Sequence, residues 1–226
     1  MLFNMNWTLP HIAYHCSCLG QYMHDPSPDG MEALLVLIIY CYFNRDNDVI
    51  TFLASSFPIP SRLPDSKREI FLKNFGTHGF CDASWLLRSI GGYVIMMCGG
   101  PIDWSSKMFR VICHSSSEAE IGAGCFLGKR TVFVRQYISE FHVELKGPFI
   151  IFIDNSAALD ISKKLGVGTR TAHFLRWQHY LRWLVIHHYV ELIFVGTAEQ
   201  LADIFTKSLD MSTFLKFCRI LFVRRS

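Results

Sequence analysis

Short apolar runs alternate with helical patterns through the second half of the chain. In the segment 148–162, PFIIFIDNSAALDIS, four apolar residues, Phe149 to Phe152, come before Asp154, and a helical pattern follows. A continuous apolar run of this length is typical of a parallel strand buried on both faces. The carboxylate that follows it either caps the next helix or lies where open α/β sheets bind ligands, outside the carboxyl ends of the strands.

The same reading between residues 74 and 209 predicts the order β-β-β-α-β-α-α-β-α. The elements are a strand ending at Asp82, two strands meeting at Gly99–Gly100, an amphipathic helix over 115–141, the strand 149–154 with its helix, a helix over 171–189, a strand over 190–195 and a helix over 198–209. We expect an α/β fold in which helices flank a mixed five-stranded sheet. On the long helix, the period predicts an inner face of Ile121, Cys125, Val132, Tyr137 and Phe141.

The first 73 residues show a different pattern of apolar and polar positions. Ser27, Pro28 and Asp29 form a helix start before the apolar run 33–43, which is too short to span a bilayer. Three prolines and alternating charges over 55–69 indicate a connection without regular structure. We expect four parts: a helical N-terminal segment over 1–60, a linker over 61–73, the α/β domain over 74–209 and a C-terminal tail helix over 210–226.

Composition narrows the function classes. Half of the residues are hydrophobic and 18% are charged, which argues against disorder, and a net charge of +3 is too small to indicate a nucleic-acid partner by itself. Eight cysteines occur without a C-x-x-C pair or a targeting signal, so we expect reduced thiols inside the cell, in cytoplasm or nucleus. Cys16 and Cys18, with histidines nearby, leave zinc binding as an alternative to burial as small apolar side chains.

Four acids stand where strands end or helices begin, namely Asp82, Glu120, Asp154 and Asp203. Each has a structural alternative: Asp82 as a turn residue, Glu120 as the partner of Ser117 in an S-x-x-E capping box, and Asp203 as a solvated helix position. Carboxylates that cluster without cations repel one another, so they persist chiefly where a divalent cation neutralises them.

Five motifs in order, FCDASW, GGPIDWSSK, HSSSEAE, IDNSAA and EQLADIFTK, closely resemble the ribonuclease H domain of copia-type LTR-retrotransposon Pol polyproteins. The resemblance covers about residues 76–209, and 118–141 aligns without a gap. The upstream stretch TLPHIAYHCSCLGQYMHDPSPDGMEA is similar to the end of that family's reverse transcriptase, past its polymerase core. The resemblance therefore implies a ribonuclease H-like fold, preceded by a reverse transcriptase remnant over 1–60.

The resemblance also implies the chemistry. Asp82, Glu120 (rather than Glu118), Asp154 and Asp203 would be catalytic metal ligands. They would bind two Mg²⁺ ions, or Mn²⁺, and the domain would hydrolyse the RNA strand of an RNA–DNA hybrid. Other Pol segments of the same element are implied partners, and no membrane is.

The expected substrate contacts are Ser84, Asn155, His173 and Arg176. His173 and Arg176 share one face of the predicted helix 171–189 with Tyr180, Trp183 and His187. Cations interleaved with aromatic rings suit phosphates and sugars. The alternative is a partly buried aromatic face with an arginine that reaches to solvent.

Some features depart from the family pattern. No Y-x-D-D polymerase motif occurs before the linker, the chain is several residues shorter between Trp85 and Gly92, and Asp103 replaces the usual Ser. Glycines 122, 124 and 128 each cost roughly 0.5–1 kcal/mol inside a helix. Two hypotheses follow: a working Mg²⁺-dependent ribonuclease H, or an inactive relic that folds and at most binds nucleic acid.

Overall fold

The computed structural model describes residues 8–44, 50–52, 59–163 and 175–222. The strands are β1 (His78–Ser84), β2 (Ile90–Met97), β3 (Gly100–Met108), β4 (Phe149–Ile153) and β5 (Val190–Phe194). The α-helices are α1 (Ala13–Gly20), α2 (Pro28–Asn44), α3 (Asp65–Lys73), α4 (Ser116–Ser139), α5 (Ser156–Lys163), α6 (Leu175–Ile186) and α7 (Met211–Leu221). Short 3₁₀ turns cover Pro10–Ile12, Thr197–Glu199 and Leu201–Phe205.

The five strands form one sheet in the order β3-β2-β1-β4-β5. β1, β2 and β3 are antiparallel neighbours, whereas β4 runs parallel to both β1 and β5. Together with the flanking helices, this mixed sheet confirms the predicted fold class. The β2–β3 turn lies at Cys98–Gly99, one residue earlier than predicted, and both residues have positive φ (52° and 75°), as a tight two-residue hairpin turn requires.

Helices cover both faces of the sheet. One core cluster joins β1, β2, β4 and β5 to α4 and α6, with Ile151, Leu127 and Leu181 fully buried. The other lies on the opposite face, where α3, α7 and the 201–205 turn pack against Phe80 and Phe152. The sheet is therefore the middle layer of three.

Helix α4 packs closely against α6 because α4 carries glycine at the contact. A Cβ on Gly122 would lie 2.8 Å from the Trp177 ring, and one on Gly128 would lie 2.6 Å from Leu184. The sequence expectation treated these glycines as a cost alone. The structure gives them a packing role, since no larger residue fits at this separation.

The glycines also shift the inner face of α4 away from the predicted one. Ile121 and Cys125 are buried as predicted, but Tyr137 and Phe141 are more than half exposed. The glycine and threonine positions that contribute to the buried side, such as Gly124 and Thr131, carry little apolar signal. The prediction for Tyr137 and Phe141 was wrong for this reason.

Two segments that border the α/β domain pack more closely against it than expected. The predicted linker 61–73 contains α3, whose Phe71 is fully buried under the sheet. The predicted tail over 210–226 contains α7, whose Phe217 and Leu221 are buried in the second core, so this helix is an integral layer. The linker prediction was wrong because a few apolar anchors outweighed the average composition of that segment. The helix predicted over 210–226 is present as α7, but it is packed into the core and is not a loose tail.

The helix predicted over 198–209 is replaced by two 3₁₀ turns. The side chain of Gln200 donates to the carbonyl of Cys81 in β1 (2.9 Å) and accepts from the amide of Ala202 (3.3 Å). This anchor ties the segment to the sheet and interrupts the helical path. Among the described residues, no helix is long and apolar enough to cross a membrane.

The N-terminal segment packs partly onto the domain. Ala13 at the start of α1 lies in the second core. Leu37 of α2 is buried in a small cluster with Ile12 and Cys16, and Tyr40 and Cys41 pack against it partly buried. The predicted start of α2 is confirmed, because the Ser27 hydroxyl accepts from the Gly30 amide at 3.1 Å.

Candidate metal centre

The register between β1 and β4 brings two of the four acids together. Phe80 of β1 pairs with Phe152 of β4 in the parallel ladder. Asp82 and Asp154 each follow two residues later, so they lie side by side at the carboxyl ends of adjacent strands. Asp82 is buried and Asp154 is half-buried.

Asp154 does not cap the helix that follows it. The Oδ1 atom of Asn155 accepts from the Ala158 amide at 2.9 Å, so Asn155 is the N-cap of α5. Asp154 Oδ2 instead accepts from the Thr197 hydroxyl at 3.1 Å. The neighbouring asparagine does the capping, which leaves the carboxylate free to point towards Asp82.

Helix α4 supplies the third acid. Its N-cap is Ser115, whose hydroxyl accepts from the Glu118 amide (3.2 Å), while Glu118 Oε2 accepts from the His114 amide (2.7 Å). The capping acid is thus Glu118, and the alternative that paired Glu120 with Ser117 was wrong. Glu120, two residues on, points away from the cap and towards β1.

The carboxylates of Asp82, Glu120 and Asp154 converge. Each offers an oxygen within 4.8 Å of the other two, and no other group of three or more potential metal-binding side chains occurs in the part of the chain that the structure describes. The zinc alternative at Cys16 and Cys18 therefore finds no support among those residues. Glu120 Oε1 accepts a long hydrogen bond from the Ala83 amide (3.4 Å).

The electrostatics of this cluster suit a divalent cation. Burial, then the charges of Asp82 and Asp154, raise the pKa of Glu120 well above its ordinary value. Burial and Asp82 also raise the pKa of Asp154. Glu120 Oε2 is buried and accepts no hydrogen bond from any described residue. Three crowded oxygen donors, one of them buried without a hydrogen bond, fit a hard cation such as Mg²⁺.

Asp203 lies beside this cluster but outside it. Its Oδ1 atom is 2.9 Å from Lys207 Nζ, which also approaches Asp82 Oδ2 at 3.8 Å. Burial and Asp82 raise the pKa of Asp203 to about 7, although Lys207 opposes the shift. Burial lowers the pKa of Lys207, but the three surrounding aspartates outweigh it and leave that pKa raised.

Sequence reasoning missed Lys207 and Thr206. The Thr206 hydroxyl donates to Asp82 Oδ2, so the segment after the 3₁₀ turn orients the first acid while Lys207 neutralises the fourth. Both residues belong to the EQLADIFTK motif, which was the available signal. Their roles required the tertiary contact between this segment and β1.

The predicted substrate contacts that the structure describes lie on separate elements. The Ser84 hydroxyl closes the β1–β2 connection, since it accepts from the Ile90 amide at 3.1 Å. Arg176 is exposed on α6, and His173 lies outside the described residues.

The shortened connection after Trp85 does not displace Asp82 from the cluster. Trp85 Nε1 donates to the carbonyl of Cys113 (3.1 Å), and the Ser89 hydroxyl donates to that of Leu86 (3.2 Å). The short loop is therefore pinned at both ends, while Leu87 points into solvent.

Comparisons with known proteins find similarity to retroelement polyproteins. No protein-family model matches it. It is 29% identical over 227 residues to the retrovirus-related Pol polyprotein from transposon RE2 of Arabidopsis thaliana, covering 94% of this chain and 14% of that protein. The counterpart from transposon RE1 is 27% identical over 233 residues (97% and 14%), and that from transposon TNT 1-94 of Nicotiana tabacum is 24% identical over 214 residues (95% and 15%).

Two solved structures are also similar, each at 16% identity. A foamy viral protease–reverse transcriptase in complex with an RNA/DNA hybrid has a TM-score of 0.44 over 69% of this chain and 22% of that one. RNase H1 from the archaeon Halobacterium salinarum has a TM-score of 0.42 over 57% and 93%. The chain spans about one seventh of the length of the curated polyproteins. Its homologues are retrovirus-related Pol polyproteins of plant transposons, which align with nearly all of it.

Proposed function

We propose that residues 74–209 act as a Mg²⁺-dependent endoribonuclease that cleaves the RNA strand of RNA–DNA hybrids, as one part of a retrotransposon Pol polyprotein. The observation that carries the proposal is the convergence of Asp82, Glu120 and Asp154 within 4.8 Å at the carboxyl ends of β1 and β4. The Pol polyproteins to which the chain is similar support the same direction.

The three converging carboxylates would hold the metal, as Mg²⁺ or Mn²⁺. Divalent cations bound there supply an activated water and neutralise charge at a scissile phosphate. Thr206 and Thr197 fix the rotamers of Asp82 and Asp154 through hydrogen bonds, so the oxygens are pre-positioned. Asp203 would complete a site for two ions only after its carboxylate leaves Lys207.

The remaining polar groups would bind the hybrid. Lys207, whose side chain is 40% exposed, offers an ammonium beside the acids for a phosphate oxygen. Asn155 uses Oδ1 as the helix cap, so its contact with nucleic acid would come from the amide nitrogen. Ser84, Arg176 and His173 are proposed contacts as well. Selectivity for RNA would arise from hydrogen bonds to the 2′-hydroxyl across a wide minor groove.

Other segments of the polyprotein are the proposed partners of α2. This helix carries no charge between Glu32 and its end, yet it leaves Leu35, Ile39, Tyr42 and Phe43 more than half exposed. A helix that is apolar on all sides is normally buried. A neighbouring Pol segment would cover this surface.

A second candidate is a catalytically inactive relic that folds and at most binds nucleic acid. The observation that favours it is the Lys207–Asp203 ion pair, because an ammonium already neutralises the fourth acid. In that case the cluster would be a remnant whose charge is balanced without a metal.

One gel assay separates these candidates. The RNA strand is end-labelled and presented in a hybrid, as a single strand, and beside a DNA duplex of the same sequence, with Mg²⁺, Mn²⁺ or EDTA. We expect cleavage of the hybrid alone, and only with a metal. A relic would bind the hybrid without cutting it, and cutting that persists in EDTA would contradict the metal centre.

A further inference from the structure

An aromatic stripe runs along the exposed side of α4 and into the turn that follows the helix, away from the metal centre. Phe133, Tyr137 and Phe141 touch in sequence, with Phe133 and Tyr137 stacked at 6.1 Å and Tyr137 and Phe141 edge-to-face at 5.5 Å. The guanidinium of Arg130 lies 4.7 Å from the centre of the Phe133 ring. Phe126 lies two turns before Phe133 on the same side. Nothing in the proposed nuclease function uses this surface.

The stripe is symmetric about the point between Phe133 and Val134. Phe126 and Phe141 lie equally far from this point, and so do Arg130 and Tyr137. Two copies of α4, each with the turn that follows it, packed antiparallel across a two-fold axis would therefore set each Phe126 against Phe141 of the other copy. Each Arg130 would meet Tyr137 of the other copy in the same way. A two-fold interface needs such a self-complementary patch.

An ion pair with Asp103 already orients the Arg130 side chain. Its Nε donates to Asp103 Oδ2 at 2.7 Å, while 41% of its side chain remains exposed. A guanidinium can stack on an aromatic ring with either face, so it can lie between its own Phe133 and a Tyr137 of a second copy.

The charges along the stripe favour a protein over a nucleic acid. Arg130 is paired with Asp103. The one other cation among the exposed described residues of the stripe is Lys129, and the exposed acid Glu140 offsets its charge in number. A polyanion would find almost no net charge. At 100° per residue, Lys129 and Glu140 fall on the same flank, so the two-fold axis would bring Lys129 of one copy near Glu140 of the other.

The exposed area suits a weak specific dimer. Phe126, Phe133, Tyr137 and Phe141 are 37%, 52%, 58% and 65% exposed. An aromatic side chain has roughly 200 Å² to bury, so the four expose about 400 Å² per copy. With the flanking residues, two copies would bury about 1,000–1,200 Å², at the lower end for specific interfaces.

We propose that a second copy of this chain docks on the Phe126–Phe141 stripe of α4 to form an antiparallel, two-fold symmetric dimer. The dimer does not depend on metal or nucleic acid. It is therefore testable whether or not the nuclease function holds.

Sedimentation of the full chain in EDTA, up to about 100 µM, tests the dimer. We expect a dissociation constant on the order of 10 µM. Phe133→Glu should raise it at least about a hundredfold, because the charge would be buried at the axis. Tyr137→Glu provides the same test if Phe133→Glu does not fold. Leu87→Glu in the exposed β1–β2 connection is the matched control and should leave the dimer unchanged.

A charge swap tests the antiparallel pairing. Lys129→Glu should weaken the dimer by roughly threefold to tenfold, and Glu140→Lys should do likewise, while the double swap should restore it. A wild type that stays monomeric would overturn the proposal. A dimer that persists in both Phe133→Glu and Tyr137→Glu would also overturn it, as would equal losses in Leu87→Glu and Phe133→Glu. A double swap that restores nothing, or a stripe that binds single-stranded RNA instead, would have the same consequence.

Discussion

Replacing Glu120 by glutamine should stabilise the metal-free protein at pH 8. Glu120 lies within 4.8 Å of two other carboxylates, and its Oε2 is buried without a hydrogen bond. Two unit charges at that distance repel by about 3.5 kcal/mol at an effective dielectric constant of about 20. Protonation of Glu120 relieves part of this repulsion, so we expect Glu120→Gln to raise the free energy of unfolding by about 1–3 kcal/mol.

The raised pKa of Glu120 predicts how the stability difference between Glu120→Gln and the wild type changes with pH. The pKa of Glu120 is raised in the folded state, so the folded state binds more protons than the unfolded state above the ordinary value of 4.5. Stability is therefore present below that pH and lost as the pH rises towards the raised pKa. The advantage of Glu120→Gln should be near zero at pH 4.5 and grow towards pH 8. Asp154 and Asp203, whose pKa values are also raised, should keep a residual slope in both proteins.

Thermal unfolding in EDTA measures the effect, at about 2–4 °C per kcal/mol for a chain of this size. Adding Mg²⁺ should then stabilise the wild type by about 1–2 kcal/mol and the variant by less. Glu144→Gln is the matched control, because Glu144 pairs with Lys146 at the surface and should contribute under about 0.5 kcal/mol. If Glu120→Gln were less stable than the wild type in EDTA at pH 8, the picture of three repelling carboxylates would fail.

Three further substitutions test the packing by urea unfolding. Gly122→Ala should destabilise the protein by about 1–3 kcal/mol, because the added Cβ would clash with the rings of Trp177 and Phe109. Gly20→Ala is the control: its Cβ meets nothing within 4 Å, so the change should be neutral or slightly stabilising. Equal effects of the two substitutions would refute the close helix contact. Phe217→Ala should lower the free energy of unfolding by about 3–5 kcal/mol, far more than Ile220→Ala on the exposed side of α7. A small loss in Phe217→Ala would show that α7 is not an integral part of the core. Ser115→Ala should cost about 1 kcal/mol as the loss of a helix cap, and no change would mean that another residue caps α4.

The sequence pattern predicted the strands and placed Asp82 and Asp154 at strand ends, whereas the family resemblance selected Glu120 over Glu118. The apolar run Phe149–Ile153 and the position of Asp154 directly after it needed only local pattern and the rule for parallel strands. The same pattern placed Asp82 at the end of a strand. The structure brings it beside Asp154 because β1 and β4 are parallel neighbours.

The cap of α4 could not be chosen from sequence. The stretch SSSEAE contains two overlapping S-x-x-E frames, Ser115 with Glu118 and Ser117 with Glu120, and both satisfy the capping pattern. The helix uses the earlier frame, because Ser115 takes the extended backbone of an N-cap. Glu120 is therefore not a capping group and can join the acid cluster.

Tertiary contacts determine the features that the sequence did not predict. The separation of Asp203 from the other three acids depends on Lys207, which lies next to Asp82 only once the 201–207 segment packs on β1. The exposed Tyr137 and Phe141 depend on the small residues that form the buried side of α4, which a hydrophobicity pattern undercounts. No local signal carries either fact.

Cleavage of a labelled RNA–DNA hybrid in Mg²⁺ by the wild type, Asp154→Asn and Asp160→Asn tests the central claim most directly. Asp160 is exposed on α5, six residues beyond Asp154, and its substitution removes the same charge away from the centre. We predict cleavage by the wild type and by Asp160→Asn, and a loss of at least about a hundredfold in Asp154→Asn with its fold intact. Equal cleavage by all three proteins, or none by the wild type, would contradict the metal centre as the site of catalysis.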